Sequence, residues 1–214
     1  MNPLRNAAIG QRFEAFSPLT LHFQRSERVC ERGESGDMLR VVRGAVRLDF
    51  RYANGTTGFG GLALPGNIIG YELPSQRNYC FTAYALTPVT VEAIDADLDF
   101  DAFAILELLA TTQQRTAHLL ALTRGTAAQR VRTLLTMIAE STRRRRMVAL
   151  PPGRDIAEIT GLTIETVSRQ LSAMRRSGEL VRCPHPGWGT AWSFRLCRPM
   201  SVVEAGDKRD LAAA

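Results

Sequence analysis

Short bursts of alternating apolar and polar residues, broken by glycines, fill residues 28–97: LRVV at 39–42, AVRLDF at 45–50, GFGGLAL at 58–64, YCFTAYA at 79–85 and VTVEAI at 89–94. A period of two marks strands with one buried face, and turn residues at about every ten positions mark the returns between them. Asn54-Gly55, between two of these segments, predicts a two-residue hairpin. Many short strands in this pattern predict a small antiparallel barrel or sandwich. Residues 1–26 read as a helical or irregular lead-in, docked by Phe13, Phe16, Leu19, Leu21 and Phe23.

The period changes at Asp97. Asp97, Asp99 and Asp101 crowd the start of a long helix, where carboxylates suit the positive end of the macrodipole. Phe103, Leu106, Ala110, Gln113, Ala117 and Leu120 follow at alternating three- and four-residue steps. That spacing is the seam of a coiled coil, with Gln113 as a polar, register-fixing position. The same stripe also suits packing onto the barrel of its own chain. Gly125 interrupts the helix and marks a hinge. Thr126 and Gln129 then make a capping box for a further helix, whose apolar face is Ala127, Val131, Leu134, Leu135 and Ile138.

Residues 154–178, RDIAEITGLTIETVSRQLSAMRRSG, read as a complete helix-turn-helix. A short helix over 155–159 runs into Gly161, which permits a sharp turn with positive φ. Thr163 stands where an N-cap belongs, ahead of a second helix from Ile164 to Ser177 that stops at Gly178. Ile156, Ala157, Leu162, Val167, Leu171 and Met174 make the inward face. Glu165, Thr166, Ser168, Arg169 and Arg175 are left outside, where they would meet base edges and phosphates in a major groove. Glu165 and Arg169, four apart, would also serve as an ordinary surface pair; the cap, the turn glycine and the buried face together favour DNA. Such a reader takes two half-sites and needs a two-fold axis, so the stripe from Phe103 to Leu120 is assigned to pairing two copies. Residues 180–183 and 192–196 then read as a hairpin around Gly187-Trp-Gly189, the wing of a winged helix.

Charge sharpens this picture. Residues 1–122 hold 11 Arg against 13 acidic residues, whereas residues 123–214 hold 16 basic residues against 8 acidic ones. The basic excess of the chain, +6 overall, thus lies with the helix-turn-helix, as phosphate neutralisation requires. Arg154 opens that segment. The run from Arg143 to Arg146 is either a solvated loop or a phosphate contact. Cys30, Cys80, Cys183 and Cys197 are scattered without a Cys-x-x-Cys pair, and His22, His118 and His185 are equally dispersed, which suggests neither a disulfide framework nor a metal site. There is no secretory signal and no apolar run of the roughly 18 residues that span a bilayer, so a cytoplasmic protein that binds no membrane is expected.

At this point the residues resemble the CRP/FNR transcription regulators. ERGESGDMLRVVRGAVRL at 31–48 is similar to the opening of that family's β-roll, with Gly33, Gly36 and Gly44 at its turns. TRGTAAQRVRTLLTMIAE at 123–140 resembles the helix after the hinge. TIETVSR at 163–169 carries the Glu-x-x-Ser-Arg pattern of the FNR/FixK branch, and residues 77–85 also look like the FixK branch. The resemblance implies an α+β fold: an N-terminal antiparallel β-roll of the cyclic-nucleotide-binding, jelly-roll kind over residues 1–98, a dimerisation helix over 99–124, a winged helix-turn-helix over 125–198 and a tail over 199–214. It implies a homodimer on double-stranded DNA with a TTGAT…ATCAA palindrome. Arg169 would fork onto guanine, Glu165 would accept from a cytosine or adenine amino group, and Ser168 would touch thymine or phosphate. It further implies an activator that contacts RNA polymerase, is controlled by its own abundance, often under low oxygen, and performs no catalysis.

The sensor half departs from its ligand-binding relatives. Glu72 and Arg77 imitate the pair that holds a cyclic nucleotide, but at the wrong spacing, and Asn78 replaces the small residue that follows the arginine in those relatives. Only Cys30 and Cys80 lie in this half, which excludes a four-cysteine iron–sulfur cluster within one chain. The reading is therefore a FixK-like regulator without a cofactor. The alternative is a regulator of the same family gated by a cyclic nucleotide, haem or another small molecule, with His22 or Cys80 as possible haem ligands. A cupin-type enzyme would need clustered histidines, and His22 stands alone in the barrel half. Cys183, just past the second helix, is either a plain wing cysteine or a thiol whose oxidation regulates binding.

Overall fold

In the computed structural model residues 19–94, 102–142, 147–183 and 193–196 are described; the side chains of residues 102–104, 147–149, 183 and 193–196 are not. The strand pattern folds as two four-stranded antiparallel sheets. One has the order β1 (Thr20–Phe23), β8 (Val89–Ile94), β3 (Met38–Arg43), β6 (Ile68–Ile69); the other has the order β2 (Arg28–Cys30), β7 (Thr82–Ala85), β4 (Val46–Arg51), β5 (Thr57–Ala63). A one-turn helix, α1 (Leu73–Gln76), lies between β6 and β7. Met38, Val41, Val46, Leu48, Ala83 and Val91 fill the space between the sheets, each almost wholly buried. The alternation thus folds as the predicted small antiparallel sandwich, and it is the β-roll that the family resemblance implies.

Two local expectations are corrected. Thr20–Phe23 is an edge strand paired with Val89–Glu92, not a helical or irregular lead-in. Its alternation is short and half exposed, because an edge strand has one neighbour and a wet flank. The hairpin at Asn54-Gly55 is one residue wider than predicted. Tyr52 N–H donates to Thr56 O at 2.8 Å, and Gly55 N–H donates to Tyr52 O at 3.0 Å with Gly55 at φ +82°, a turn followed by a left-handed residue. The Asn54 side chain accepts from Thr56 N–H at 3.0 Å, which favours the wider loop.

The turn glycines divide by cause. Gly44 has φ +89°, and a Cβ there would strike the Pro88 carbonyl. Gly36 has an ordinary φ; it is small because the Tyr79 ring lies over it, with the Tyr79 hydroxyl donating to Asp37 O at 2.6 Å.

The long helix is α2 (Ala102–Thr123), followed by α3 (Ala127–Ser141). Asp97, Asp99 and Asp101 fall outside the described residues. Gly125 turns the chain at φ +86°, and the Thr126–Gln129 capping box forms in both directions. Val131, Leu134, Leu135 and Ile138 are fully buried, as the apolar spacing of α3 requires. Next come β9 (Met147–Ala149), α4 (Gly153–Thr160), α5 (Ile164–Arg176), β10 (Leu180–Cys183) and β11 (Ser193–Leu196). The expected hairpin forms, and β9 joins it to give a sheet of order β10-β11-β9. The loop around Gly187-Trp-Gly189, the run Arg143–Arg146 and the tail from residue 199 lie outside the described residues. A second core gathers Leu122, the inner faces of α3, α4 and α5, and Leu180, and extends to Ala45, Leu62 and Leu86 of the β-roll.

Candidate nucleic-acid interface

The helix-turn-helix is built as its sequence dictates. α4 ends at Gly161, which adopts φ +62° and ψ +36° while its N–H donates to Ala157 O. Ile156 and Ile159 are fully buried and Ala157 nearly so. Thr160, outside the predicted inward face, is fully buried too; its hydroxyl is satisfied by donating to Ile156 O at 2.6 Å. Arg130 of α3 donates to Gly125 O at 3.0 Å and to Thr160 O at 3.2 Å, so one guanidinium ties the hinge to the turn. Arg132 grips Glu179, beyond α5, through two nitrogens. Neither arginine was singled out from sequence, since a structural fork and a phosphate contact look alike along a chain.

α5 starts on the expected cap. Thr163 is extended (φ −80°, ψ 155°) and its hydroxyl accepts from Thr166 N–H at 3.2 Å. Val167, Leu171 and Met174 face the core. Glu165, Ser168, Arg169 and Arg175 are exposed, and Thr166 is half-buried between them and the cap. Arg169 Nη2 donates to Thr166 Oγ1 at 3.2 Å, which lays the guanidinium along the first turn. The Glu165 carboxyl is held below the usual carboxylate range by its own backbone N–H at the helix N-terminus, by Thr163 and by Arg169. An ionised carboxylate only accepts hydrogen bonds, as a base amino group requires of its partner. Ile164, 53% exposed at the first position of α5, is an apolar group the sequence reading passed over. Arg154 lies on the same chain segment at the start of α4, with a largely exposed side chain whose Nε donates to Glu158 at 2.9 Å. Cys183 ends β10, and its side chain lies outside the described residues.

A second surface lies on α2. Leu106 and Leu120 are 63% and 53% exposed, and Ala110, Gln113 and Ala117 are exposed between them. Ile105 and Leu109, which the spacing argument did not include, widen this apolar stripe. The Phe103 side chain is outside the described residues. The opposite flank of α2 covers the β-roll: Arg115 lies 5.6 Å from the centre of the Tyr71 ring, and Leu122 is buried. The stripe therefore does not pack onto the barrel of its own chain.

The cyclic-nucleotide-like trio is not brought together. Glu72 lines a small cavity with Leu48, Ile69, Tyr71, Tyr79 and Arg115, and its carboxylate accepts from Cys80 N–H at 2.8 Å. Arg77 caps α1 in a left-handed conformation at φ +65°, and both it and Asn78 point to solvent. The guanidinium that lines this cavity with Glu72 comes from Arg115 on α2, some forty positions later, which no local spacing reveals. Burial pushes the Cys30 thiol up to about 12, so it stays protonated. Among the described residues no helix is long and apolar enough to cross a membrane.

The described geometry is a helix-turn-helix beside a β-roll. Residues 154–180 match the profile of the bacterial regulatory proteins, crp family. The chain is 30% identical over 161 residues to the nitrogen fixation regulation protein FixK of Rhizobium meliloti (strain 1021), covering 73% of this chain and 75% of that protein. It belongs to the CRP/FNR family, as a transcription regulator of the FixK type. FixK of Bradyrhizobium diazoefficiens is 32% identical over 181 residues, covering 75% of this chain and 73% of the relative. The solved structure of FixK2 from Bradyrhizobium japonicum superposes with a TM-score of 0.63 at 28% identity, over 86% of this chain and 94% of that one. A CRP/FNR regulator is a DNA-binding protein and not an enzyme.

Proposed function

We propose that this CRP/FNR regulator acts as a homodimer that reads a TTGAT…ATCAA-type palindrome, with α5 of each copy in successive major grooves. The observation that carries this reading is the capped, outward face of α5, where Glu165, Ser168 and Arg169 are exposed together on a helix whose other side is locked into the core. Arg169 leaves Thr166 to fork onto guanine O6 and N7. Glu165 accepts from a cytosine or adenine amino group, Ser168 meets thymine or phosphate, and Ile164 lies where a thymine methyl would pack. Thr163, Thr166, Arg154 and Arg175 hold the phosphate backbone that fixes the register.

The two copies pair along α2 through Leu106, Ala110, Gln113, Ala117 and Leu120, with Phe103 at the start of the seam. The exposed aliphatics of that stripe support the pairing, because a helix in water rarely leaves four such side chains out. The regulator works in the cytoplasm, on the chromosome, as an activator touching RNA polymerase. No effector is assigned to the β-roll. Footprinting on genomic fragments, in air and under nitrogen, tests the whole reading. Protection should fall on a two-fold symmetric site in both gases. Protection of scattered sequence without symmetry would reject it.

A further inference from the structure

Arg47 is an anomaly of placement. It lies in β4 between Val46 and Leu48, which point into the β-roll, so its own side chain leaves from the outer face. An arginine there is normally solvated, yet this one is only 10% exposed because α4 covers it. Each nitrogen of the guanidinium donates to a different carboxylate. Nε meets Asp49 at 2.7 Å on the same strand; Nη1 meets Asp155 at 3.4 Å and Nη2 meets Glu158 at 2.6 Å, both on α4. The second oxygen of Glu158 is held by Arg154.

We infer that Arg47 is a positioning residue for DNA reading: through Asp155 and Glu158 it fixes the orientation of α4, and with it the helix-turn-helix, against the β-roll. The rest of this contact is of a different kind. Ala45, Leu62 and Leu86 make it apolar, and apolar contact holds surfaces together without setting their angle. Among the described residues, polar links here include Gly44 N–H to Ser141 O at 2.9 Å and Arg25 to Leu150 O at 3.3 Å. A planar fork meeting three acceptors is directional in a way these are not. Buried ion pairs contribute little net stability against apolar replacements, so a role in fixing one arrangement suits this cluster better than a role in strength. Burial pushes Asp49 and Asp155 above the usual carboxylate range; on Glu158 the two guanidiniums outweigh burial and hold it below that range.

Orientation matters because a dimer gains from a palindrome only when both readers reach their half-sites at once. This inference rests on the palindrome reading above. The test compares wild type, Arg47→Met and the double variant Asp155→Asn/Glu158→Gln, which keeps the Arg47–Asp49 pair should Arg47→Met fail to fold. Affinity is measured on the full palindrome and on a single half-site duplex, and exchange of the Gly44 amide is followed in DNA-free protein. The double variant should lose about tenfold or more on the palindrome while half-site affinity stays within about twofold, since linkage of sites is the part that depends on geometry. Gly44 should exchange faster. Freeing Arg154 from Glu158 enters once on the half-site and twice on the palindrome, so the ratio that isolates positioning is palindrome affinity against the square of half-site affinity. An unchanged or raised ratio, or an unchanged Gly44 amide, overturns the inference. Should wild type itself ignore the palindrome, the operator reading fails, and Gly44 exchange alone decides whether Arg47 holds the two parts in place.

Discussion

At the scale of single residues, the chemistry of α5 is concentrated in a few groups with separable duties. On the proposed reading Arg169 supplies the fork for guanine, and its guanidinium donates to the Thr166 hydroxyl, a bond that water or DNA replaces easily. Arg169→Ala should cost about 1–3 kcal/mol per half-site and relax the preference at the guanine. Titration of operators altered at that base checks this; an equal loss on specific and unrelated DNA would remove Arg169 from base reading. Thr163 has a different duty. Its hydroxyl satisfies the Thr166 N–H and contacts the Thr166 hydroxyl at 3.1 Å, so Thr163→Ala should lower stability by about 1 kcal/mol, while Thr163→Ser should lose much less. Urea unfolding separates the two. These residues were legible in sequence because capping and turn chemistry are local. Arg130 and Arg132 were not, because their partners lie some thirty and fifty positions away.

At the scale of elements, α2 makes the sharpest prediction. Burying an aliphatic side chain contributes about 1.5–3 kcal/mol, and the stripe repeats on both copies of a symmetric seam. If the two copies pair as proposed, Leu106→Glu/Leu120→Glu should therefore give a folded monomer where wild type sediments as a dimer, and should lose palindrome binding with it. A variant that still sediments as a dimer would move the interface elsewhere. The alternation that predicts β3, β4, β5 and β8 is strong because those strands have a dry and a wet face. It fails for β1, an edge strand, and it says nothing of β9, whose partner β11 arrives more than forty residues later.

At the scale of the molecule, one half-buried imidazole reports on the junction of α2 with α3. No hydrogen-bond partner meets His118 Nδ1 among the described residues, and burial holds its pKa below the ordinary 6.5, against the pull of Glu140. The unfolded chain therefore takes up this proton first as pH falls. The contribution of His118 is intact above about pH 6.5 and is lost as pH drops towards the folded-state value. Urea stability should fall between about pH 7 and pH 5.5, and fall less in His118→Gln. Equal slopes in the two proteins would show that other groups govern that range.

Sequence by itself determined the order of the parts, the capped reader and the apolar stripe of α2, since each is written in spacings of a few residues that backbone geometry imposes. Only the tertiary structure decided that the β-roll and the helix-turn-helix share a core across Gly125, that Arg47 is buried among carboxylates that include two on a distant helix, and that Arg115 rather than Arg77 lines the cavity with Glu72. Those are contacts between faces far apart along the chain. A strand or helix period shows that a face exists and leaves open which other face will cover it.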